Sequence, residues 1–364
     1  MEHKVASSAA VGPPPGMTVR LSSNESPFGP SPAAVDAAAT VLVDAHLYPD
    51  DQSVALRTAI AAHEQRSLDE VAVGTGSAAL LMDAIPHACD GVDDAEVVTF
   101  QHAFVVYRLA ARNAGARYTE VPTAGPATSG TKGYGRDVQT LLGSVGAATR
   151  VVVVDNPGNP TGAHLTGEDL AALIGALPEH VMVIIDEAYH QFAVGQQGYQ
   201  PVADLGLSHP RRLTMRTFSK AHALAGLRIG YVVGPADLVA ELDARRTRFN
   251  VTATGQAAAI ASLEDADHVR RTVEGTLEGR QRMADGLRAL GVPFTDGLGN
   301  FLTIELGTEA APIVEAYAGH GVGIRPLAPY GMLEQIRVTV GTPSEVDAFL
   351  DASASVLADL PSRS

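Results

Sequence analysis

Between about Ser53 and Gly234, apolar runs rich in valine and isoleucine alternate with alanine- and leucine-rich segments of helical periodicity. This alternation constrains the fold most, because near-continuous apolar runs are typical of strands covered on both faces, in parallel sheets flanked by helices. The predicted strands are EVAVGTG, AEVVTF, ARYTEVP, RVVVVDNP, VMVIIDEA, RLTMRTF and GLRIGYVVG. We therefore predict an α/β fold with a mostly parallel seven-stranded sheet sandwiched by helices.

After Asn250 the pattern changes to a long helical region, three short strands (NFLTIEL, VGIRPL and QIRVTVGT) and a closing helix from Ser344. This predicts a second, smaller α+β domain. The glycine-rich stretch from Pro122 to Gly135 is predicted to be a surface loop. The predicted divisions are a disordered arm (1–20), an N-terminal segment packing with the small domain (21–52), the large domain (53–250) and the small C-terminal domain (251–364).

The charge and composition restrict the possible partners. The net charge is −15, so neither a nucleic-acid backbone nor an anionic membrane is an expected partner. No run of eighteen apolar residues predicts a membrane span, and the first residues lack the apolar core of a secretory signal. The single cysteine, Cys89, excludes an internal disulfide and a cysteine-rich metal site. We predict a cytoplasmic protein without a metal site.

Polar residues that directly follow the predicted strands are the candidate ligand-binding residues, because open α/β sheets bind ligands at the carboxyl ends of their strands. Gly74, Thr75 and Gly76 end one strand and open a helix, which favours a phosphate site, although a tight turn without a ligand fits as well. Asn159 follows another strand among prolines, where it is either a turn residue or a donor facing the cleft.

Ionisable residues follow two further strands. Asp186 comes directly after an apolar run, so it requires a cation or a donor, which a structural arginine would also provide. Lys220 lies in TFSKAHALAGLRIGY, where burial would lower its pKa and make the neutral amine a nucleophile; a surface lysine is the alternative. Arg228 stays charged and presents a fork suited to phosphate.

Together these residues match the requirements of pyridoxal 5'-phosphate. That cofactor needs an amine for its aldehyde, donors and a cation for its phosphate, and a carboxylate for its ring nitrogen. It also needs donors for its phenolic oxygen and a flat face on which to stack.

Nearly the whole chain, from about Leu21 to Leu350, resembles the fold-type I aminotransferases that depend on pyridoxal phosphate, the aspartate aminotransferase superfamily. Within that superfamily it is most similar to the histidinol-phosphate aminotransferases. The segments that carry the resemblance are LSSNESPFGP, YPD, VGTGS, HAFVVYRLA, GYGRD, NPGNPTG, IIDEAY, TFSKAHALAGLRIGY, FNVTATGQAAA, IRPLAPYG and IRVTVGT.

For the cofactor, the resemblance implies that Lys220 forms the Schiff base and moves the proton, while Asp186 pairs with the ring nitrogen. Asn159 and Tyr189 would hold the phenolic oxygen, and Phe104 would stack on the ring. The phosphate ligands it implies are Gly74, Thr75, Gly76, Ser219 and Arg228, with Tyr48 reaching across from a second subunit. A homodimer with shared active sites is therefore expected.

For the substrates, the resemblance implies that Arg337 binds the α-carboxylate and Arg325 the phosphate of histidinol phosphate. Asn24 would lie near the substrate, and a purely structural role remains open for all three. The implied reaction converts histidinol phosphate and 2-oxoglutarate to imidazole acetol phosphate and glutamate in a ping-pong cycle.

The chain also departs from the family pattern. The acidic or amide residue expected after the glycine turn is missing, His222 and Ala223 replace an aromatic-glycine pair, and Arg108 and Arg136 are unusual. None of these departures falls on a residue implied for transamination, but each offers a way to alter the pocket around the substrate side chain, and their effect on specificity stays open. An aromatic amino-acid aminotransferase and a specialised-metabolite aminotransferase therefore remain alternatives, as does a non-enzymatic sensor module on the same scaffold.

Overall fold

The computed structural model describes residues 18–125, 133–196 and 198–358. The strands within these residues are β1 (Val19–Arg20), β2 (Val71–Gly74), β3 (Glu96–Phe100), β4 (Arg117–Val121), β5 (Thr149–Asp155), β6 (Met182–Asp186), β7 (Arg212–Thr217), β8 (Gly230–Val233), β9 (Phe294–Thr295), β10 (Phe301–Glu305), β11 (Val322–Gly323), β12 (Arg325–Pro326) and β13 (Gln335–Thr339). The α-helices are α1 (Pro32–Thr40), α2 (Val54–Glu64), α3 (Ser77–Cys89), α4 (Val105–Asn113), α5 (Val138–Gly143), α6 (Gly167–Ala176), α7 (His190–Ala193), α8 (Ala236–Asp243), α9 (Ala253–Glu264), α10 (Ala266–Ala289), α11 (Ala310–Gly319) and α12 (Pro343–Val356).

The large sheet has seven strands in the order β2-β8-β7-β6-β5-β3-β4. Strand β8 runs antiparallel to both of its neighbours, and the remaining pairs are parallel. The predicted fold class is therefore confirmed. Because β5, β6 and β7 are parallel, their carboxyl ends meet at one edge of the sheet, and the residues that follow them lie close together.

Both faces of this sheet are covered, as the apolar runs predicted. In β5, Val151 and Val153 pack in the cluster beneath α3 and α4, whereas Val152 and Val154 pack in the cluster beneath α6. All four side chains are fully buried. Alternate residues of one strand thus supply two cores, which is why the sequence shows a continuous apolar run instead of an alternating pattern.

A second, antiparallel sheet has the order β12-β13-β10-β9, and β1 pairs separately with β11 in parallel. Helices α10, α11 and α12 contribute to the core beneath the second sheet, together with Leu21 from the N-terminal segment. Helix α1 instead packs against α9, and its Ala34 lies in a cluster with β2 and β8. The predicted domain boundaries stay a prediction, but Val19 and Arg20 of the predicted disordered arm form β1. Residues 1–17 and 126–132 of the predicted arm and loop lie outside the described residues.

Two of the predicted strands differ in more than their end residues. The run GLRIGYVVG becomes a strand only from Gly230, because Ala225–Leu227 form a 3-10 turn and Arg228 has a φ of +57°. The run VGIRPL is divided into β11 and β12, which pair with different partners.

Candidate active site

A cavity of about 700 Å³ lies at the carboxyl ends of the parallel strands. Residues from the N-terminal segment and from β12 and β13 close it on the opposite side. Its lining includes ten of the predicted site residues, namely Asn24, Phe104, Asn159, Asp186, Tyr189, Ser219, Lys220, Arg228, Arg325 and Arg337. Residues up to 313 positions apart in the chain therefore meet in one space.

Lys220 lies in the turn that follows β7 and is partly buried. Its Nζ donates to the backbone oxygen of Asn24 at 3.0 Å and lies 5.6 Å from the centre of the Tyr189 ring. Burial, followed by the positive charge of Arg337, lowers the pKa of Lys220 to about 7. The amine is therefore substantially neutral near pH 7 and able to act as a nucleophile or a base.

Asp186 is the last residue of β6 and is only 4% exposed. Its carboxylate accepts hydrogen bonds from the Tyr107 hydroxyl at 2.9 Å and from the Ala188 backbone N–H at 3.2 Å. Burial is the main cause that raises the pKa of Asp186 to about 7, and the Tyr107 hydrogen bond acts in the opposite direction. A carboxylate in such surroundings gains strongly from a cationic partner, so it suits a protonated ring nitrogen.

A seat for an anion lies where β2 ends and α3 begins. Gly76 precedes the helix with a φ of +83°, and a Cβ there would lie 2.7 Å from Nη2 of Arg228. The guanidinium of Arg228 therefore packs directly against the start of the helix, where backbone N–H groups and the helix dipole favour a phosphate. Thr217 and Ser219 bring their hydroxyls beside it, 3.0 Å apart.

The glycine turn at the end of β2 is not itself part of the cavity lining. Gly74, Thr75 and Gly76 are absent from the lining of the cavity among the described residues, whereas Ser77 and Ala78 belong to it. The Thr75 hydroxyl donates to the backbone oxygen of Asn250 at 2.8 Å. Their phosphate-binding role stays a prediction, and it would rest on backbone groups more than on the Thr75 side chain.

Tyr189 and Asn24 form a buried hydrogen bond on the side of the cavity nearest the second sheet. Asn24 Nδ2 donates to the Tyr189 hydroxyl at 2.9 Å, and Thr339 Oγ1 donates to Asn24 Oδ1 at 3.2 Å. Burial raises the pKa of Tyr189 to about 12, so its hydroxyl keeps its proton at neutral pH. Asn24 thus orients a hydroxyl that can donate to an anionic oxygen.

Arg325 and Arg337 face each other across the β12–β13 ladder. The Nε of Arg325 and Nη2 of Arg337 both donate to the backbone oxygen of Ser22, each at 3.0 Å. Nη1 of Arg337 also donates to Asn159 Oδ1. All of their recorded acceptors in the described parts of the chain are neutral, and the buried Nε of Arg337 has no acceptor there. Two guanidinium groups at one cavity make a strong anion site.

Tyr48 lies away from the cavity. Its side chain is 82% exposed and stacks on Phe249 with a ring-centre distance of 4.6 Å. The structure therefore does not place it in the site of its own chain.

Several lining residues were not identified from the sequence. Ser23, Ser77, Asp155, Thr217 and Tyr330 also line the cavity. Thr217 and Asp155 both end apolar strands, so the rule that found Asp186 would have found them too. Tyr107 was missed because it is fully buried in α4 and acts through Asp186.

Arg108, Arg136 and His222 are not among the described residues that line the cavity. Arg108 pairs with Glu120 at 2.8 Å, and His222 Nδ1 lies 2.8 Å from the Ser262 hydroxyl. Arg136 pairs with Asp155 and reaches the site only through it. Only the missing acidic residue changes the lining directly, because Ala78 lies at the cavity.

The described residues contain neither a membrane-spanning helix nor a metal centre. None of the helices there is long and apolar enough to cross a membrane. No group of three or more histidine, cysteine, aspartate and glutamate side chains in that same part of the chain is arranged to hold a metal ion.

Comparison with known proteins places this site in a family. A model of aminotransferase class I and II matches residues 17–352. The histidinol-phosphate aminotransferase 2 of Methylococcus capsulatus is 38% identical over 341 residues, which cover 93% of this chain and 90% of that protein. The histidinol-phosphate aminotransferase 2 of Pseudomonas fluorescens Pf-5 is 37% identical over 345 residues, covering 94% and 90% respectively.

A solved structure agrees with these relatives. The crystal structure of histidinol-phosphate aminotransferase from Sinorhizobium meliloti, in complex with pyridoxal 5'-phosphate, has a TM-score of 0.84 to this chain at 29% identity. The match covers 94% of this chain and 91% of that one. The sequence, the fold and the site agree, and this chain belongs to the family of class I and II aminotransferases.

Proposed function

We propose that this chain is a pyridoxal-phosphate-dependent aminotransferase that converts histidinol phosphate and 2-oxoglutarate to imidazole acetol phosphate and glutamate. The observation that carries the choice of substrates is the pair Arg325 and Arg337, which face one cavity with neutral hydrogen-bond partners. The names of the relatives from Methylococcus capsulatus and Pseudomonas fluorescens support the same substrate.

The residues present fit the cofactor. Lys220 would hold its aldehyde, Asp186 its ring nitrogen and Phe104 one face of its ring, since all three line the same cavity. The N-terminus of α3, the Ser219 hydroxyl and Arg228 would hold the phosphate. When bound, the cofactor supplies an electron sink that stabilises negative charge at the substrate Cα.

The protein's own groups supply the proton transfers and the orientation. With a pKa near 7, Lys220 Nζ can accept a proton and return it within one catalytic cycle at neutral pH. The Tyr107 hydroxyl holds the Asp186 carboxylate in place from behind. The Tyr189 hydroxyl keeps its proton, so it acts as a hydrogen-bond donor and not as a charged group.

The two arginines suit both proposed substrates. Histidinol phosphate carries a phosphate ester and no carboxylate, whereas 2-oxoglutarate carries two carboxylates. Arg337 would hold the α-carboxylate of 2-oxoglutarate, and Arg325 would hold the phosphate of histidinol phosphate. Because each arginine is fixed by the backbone oxygen of Ser22, the seat is preorganised before an anion binds.

The test is a panel of amino donors with 2-oxoglutarate, comparing histidinol phosphate, phenylalanine, tyrosine and histidine by kcat/KM. We expect histidinol phosphate to be preferred by about 100-fold or more, the equivalent of two charge-assisted hydrogen bonds. A preference for unphosphorylated aromatic donors would support an aromatic amino-acid aminotransferase instead. Preference for none of the four would leave a specialised-metabolite donor, and binding of the cofactor without turnover of any donor would support the sensor module.

We also propose a homodimer that shares its active sites, located in the cytoplasm. An exposed apolar stretch supports the dimer, since Leu42, Val43, Leu47 and Tyr48 are 58% to 82% exposed. Patches of this kind on a single chain mark interfaces. Val43→Asp is expected to shift the chain to a monomer in light scattering, and an unchanged dimer would exclude this stretch from the interface.

A further inference from the structure

Asp155 is a second buried carboxylate beside Asp186. The two residues are register partners at the ends of β5 and β6, each is 4% exposed, and both line the cavity. The charge of Asp155 contributes to the raised pKa of Asp186. Two adjacent buried carboxylates cannot both remain ionised at low cost unless a cation compensates one of them.

Arg136 provides that compensation from outside the cavity. Its side chain is 1% exposed, its Nη2 donates to Asp155 Oδ1 at 2.6 Å, and its Nη1 donates to the Asp155 backbone oxygen. A Cβ on Gly158 would lie 2.2 Å from Nη2 of Arg136. The turn after β5 therefore leaves room for the guanidinium only because a glycine stands at that position.

The other oxygen of Asp155 anchors the site. Oδ2 accepts the Asn159 backbone N–H at 3.0 Å, and Asn159 Oδ1 accepts from Arg337. Contacts therefore connect Arg136 to Asp155, Asp155 to Asn159, and Asn159 to Arg337. This series of contacts begins at Arg136, which does not line the cavity, and ends at Arg337, the proposed ligand of the α-carboxylate.

We propose that Arg136 and Asp155 are a positioning pair: Asp155 holds Asn159 and thereby Arg337, and Arg136 cancels the charge that Asp155 would otherwise place beside Asp186. The pair acts through other residues and touches neither reacting atom. This inference rests on the proposed function, because its readout is the bound cofactor. Among the described residues, the charged and titratable groups around the two carboxylates are Tyr107, Tyr118, Arg136, Glu187, Tyr189 and Lys220, and Arg337 contacts Asn159 beside them.

The electrostatic half of the proposal, in which Arg136 cancels the charge of Asp155, is tested without turnover. The visible absorbance of the protein reconstituted with pyridoxal phosphate is titrated against pH. Arg136→Leu leaves an uncompensated anion, which favours the protonated cofactor and raises the titration midpoint by about 1 pH unit. Asp155→Asn leaves an uncompensated cation and lowers the midpoint by a similar amount. The double variant Arg136→Leu/Asp155→Asn returns it to within a few tenths of the wild-type value. Loss of stability alone would not produce opposite shifts that cancel.

The anchoring half of the proposal, in which Asp155 holds Asn159 and thereby Arg337, is tested by two double variants that remove both charges of the pair. Arg136→Leu/Asp155→Asn keeps a side-chain oxygen for the Asn159 N–H, and Arg136→Leu/Asp155→Ala removes it. We expect the KM for 2-oxoglutarate to be about tenfold higher in the second than in the first, the effect of one lost buried hydrogen bond. Because neither carries an unpaired buried charge, both remain informative if the single variants do not fold.

Arg117→Leu is the matched control, since it breaks the ion pair with Glu96 at the other end of the sheet. It is expected to leave both the midpoint and the KM unchanged. Midpoints that do not move, or that move in the same direction in both single variants, would overturn the electrostatic half. Equal KM values in the two double variants would overturn the anchoring half. A wild-type protein that binds no cofactor would instead overturn the proposed function.

Discussion

Burial has opposite consequences for the ionisable side chains on the two walls of the cavity. On the sheet wall, formed by Asn159, Asp186 and Lys220 after the parallel strands, burial moves the pKa values of Asp186 and Lys220 both to about 7. On the arginine wall, formed by Arg325 and Arg337, burial lowers the pKa of Arg325, but a guanidinium remains charged at neutral pH. The same physical effect therefore gives groups that exchange protons on one wall and a permanent anion site on the other.

The largest expected effect comes from removing the proton-exchanging group. Lys220→Ala should lower turnover by about 10⁴-fold or more, because both the nucleophile and the base are lost. Thermal unfolding should show that the variant folds, and Arg270→Ala, on the exposed face of α10, is the matched control. Near-normal turnover in Lys220→Ala would mean that Lys220 is neither the nucleophile nor the base.

A smaller and selective effect is expected on the arginine wall. Arg325→Gln should lower kcat/KM for histidinol phosphate by about 10- to 100-fold, since one charge-assisted contact is lost. Phenylalanine carries no phosphate, so its kcat/KM should change much less. Arg282→Gln, which breaks an exposed pair with Asp347, controls for the lost charge. Equal losses with both donors would mean that Arg325 does not recognise phosphate.

The lowered pKa of Lys220 also predicts a pH dependence of stability in the cofactor-free protein. Between about pH 7 and 10.5 the unfolded chain binds a proton at Lys220 that the folded chain does not, so this residue makes stability rise with pH. Above pH 10.5 the amine is neutral in both states and costs no stability, and the cost of burying it grows as the pH falls towards 7. The slope is at most about 1.4 kcal/mol per pH unit.

Lys220→Met should remove this dependence, and urea unfolding at a series of pH values measures it. The stability gain of the variant over wild type should grow as the pH falls from 10.5 to 7. Arg270→Met should show no such trend. A gain independent of pH would mean that Lys220 keeps its ordinary pKa in the folded protein.

The smallest effect concerns the turn that carries Lys220. Ala223 has a φ of +57°, a conformation that glycine adopts more readily than alanine. Ala223→Gly should therefore stabilise the protein by about 1 kcal/mol, less the entropy that glycine gains in the unfolded chain. We expect Tm to rise by about 1 °C or less while kcat/KM is unchanged. A lower Tm would show that the Ala223 methyl group packs favourably enough to outweigh the strain.

Much of the sheet wall was accessible from local sequence. Asp186 and Lys220 each follow an apolar strand, and burial alone predicts the direction in which each pKa moves. The helix after Gly76 was also predictable, because a glycine turn follows an apolar strand there. What local sequence did not reveal is that the Thr75 hydroxyl is bonded to Asn250 and that Ser77 faces the cavity, since this depends on the rotation of the turn.

The arginine wall was accessible only through resemblance. Arg325 and Arg337 lie in short strands whose pairing depends on β12 meeting β13, and their common acceptor is the distant Ser22. Arg136 was noticed as unusual, but its effect was expected at the substrate side chain. The structure shows a pair with Asp155, a residue nineteen positions away, which no periodicity indicates.

The sequence alone determined the fold class, the strands of the large sheet and the polar residues that end them, because these follow from short-range patterns of apolar and polar side chains. Only the tertiary structure decided which of those polar groups meet. Asn24 reaches Tyr189 across 165 residues, and Asp155 lies between Arg136 and Asn159. Such contacts depend on how the strands and the two sheets pack, and burial in that packing brings the pKa values of Asp186 and Lys220 to about 7.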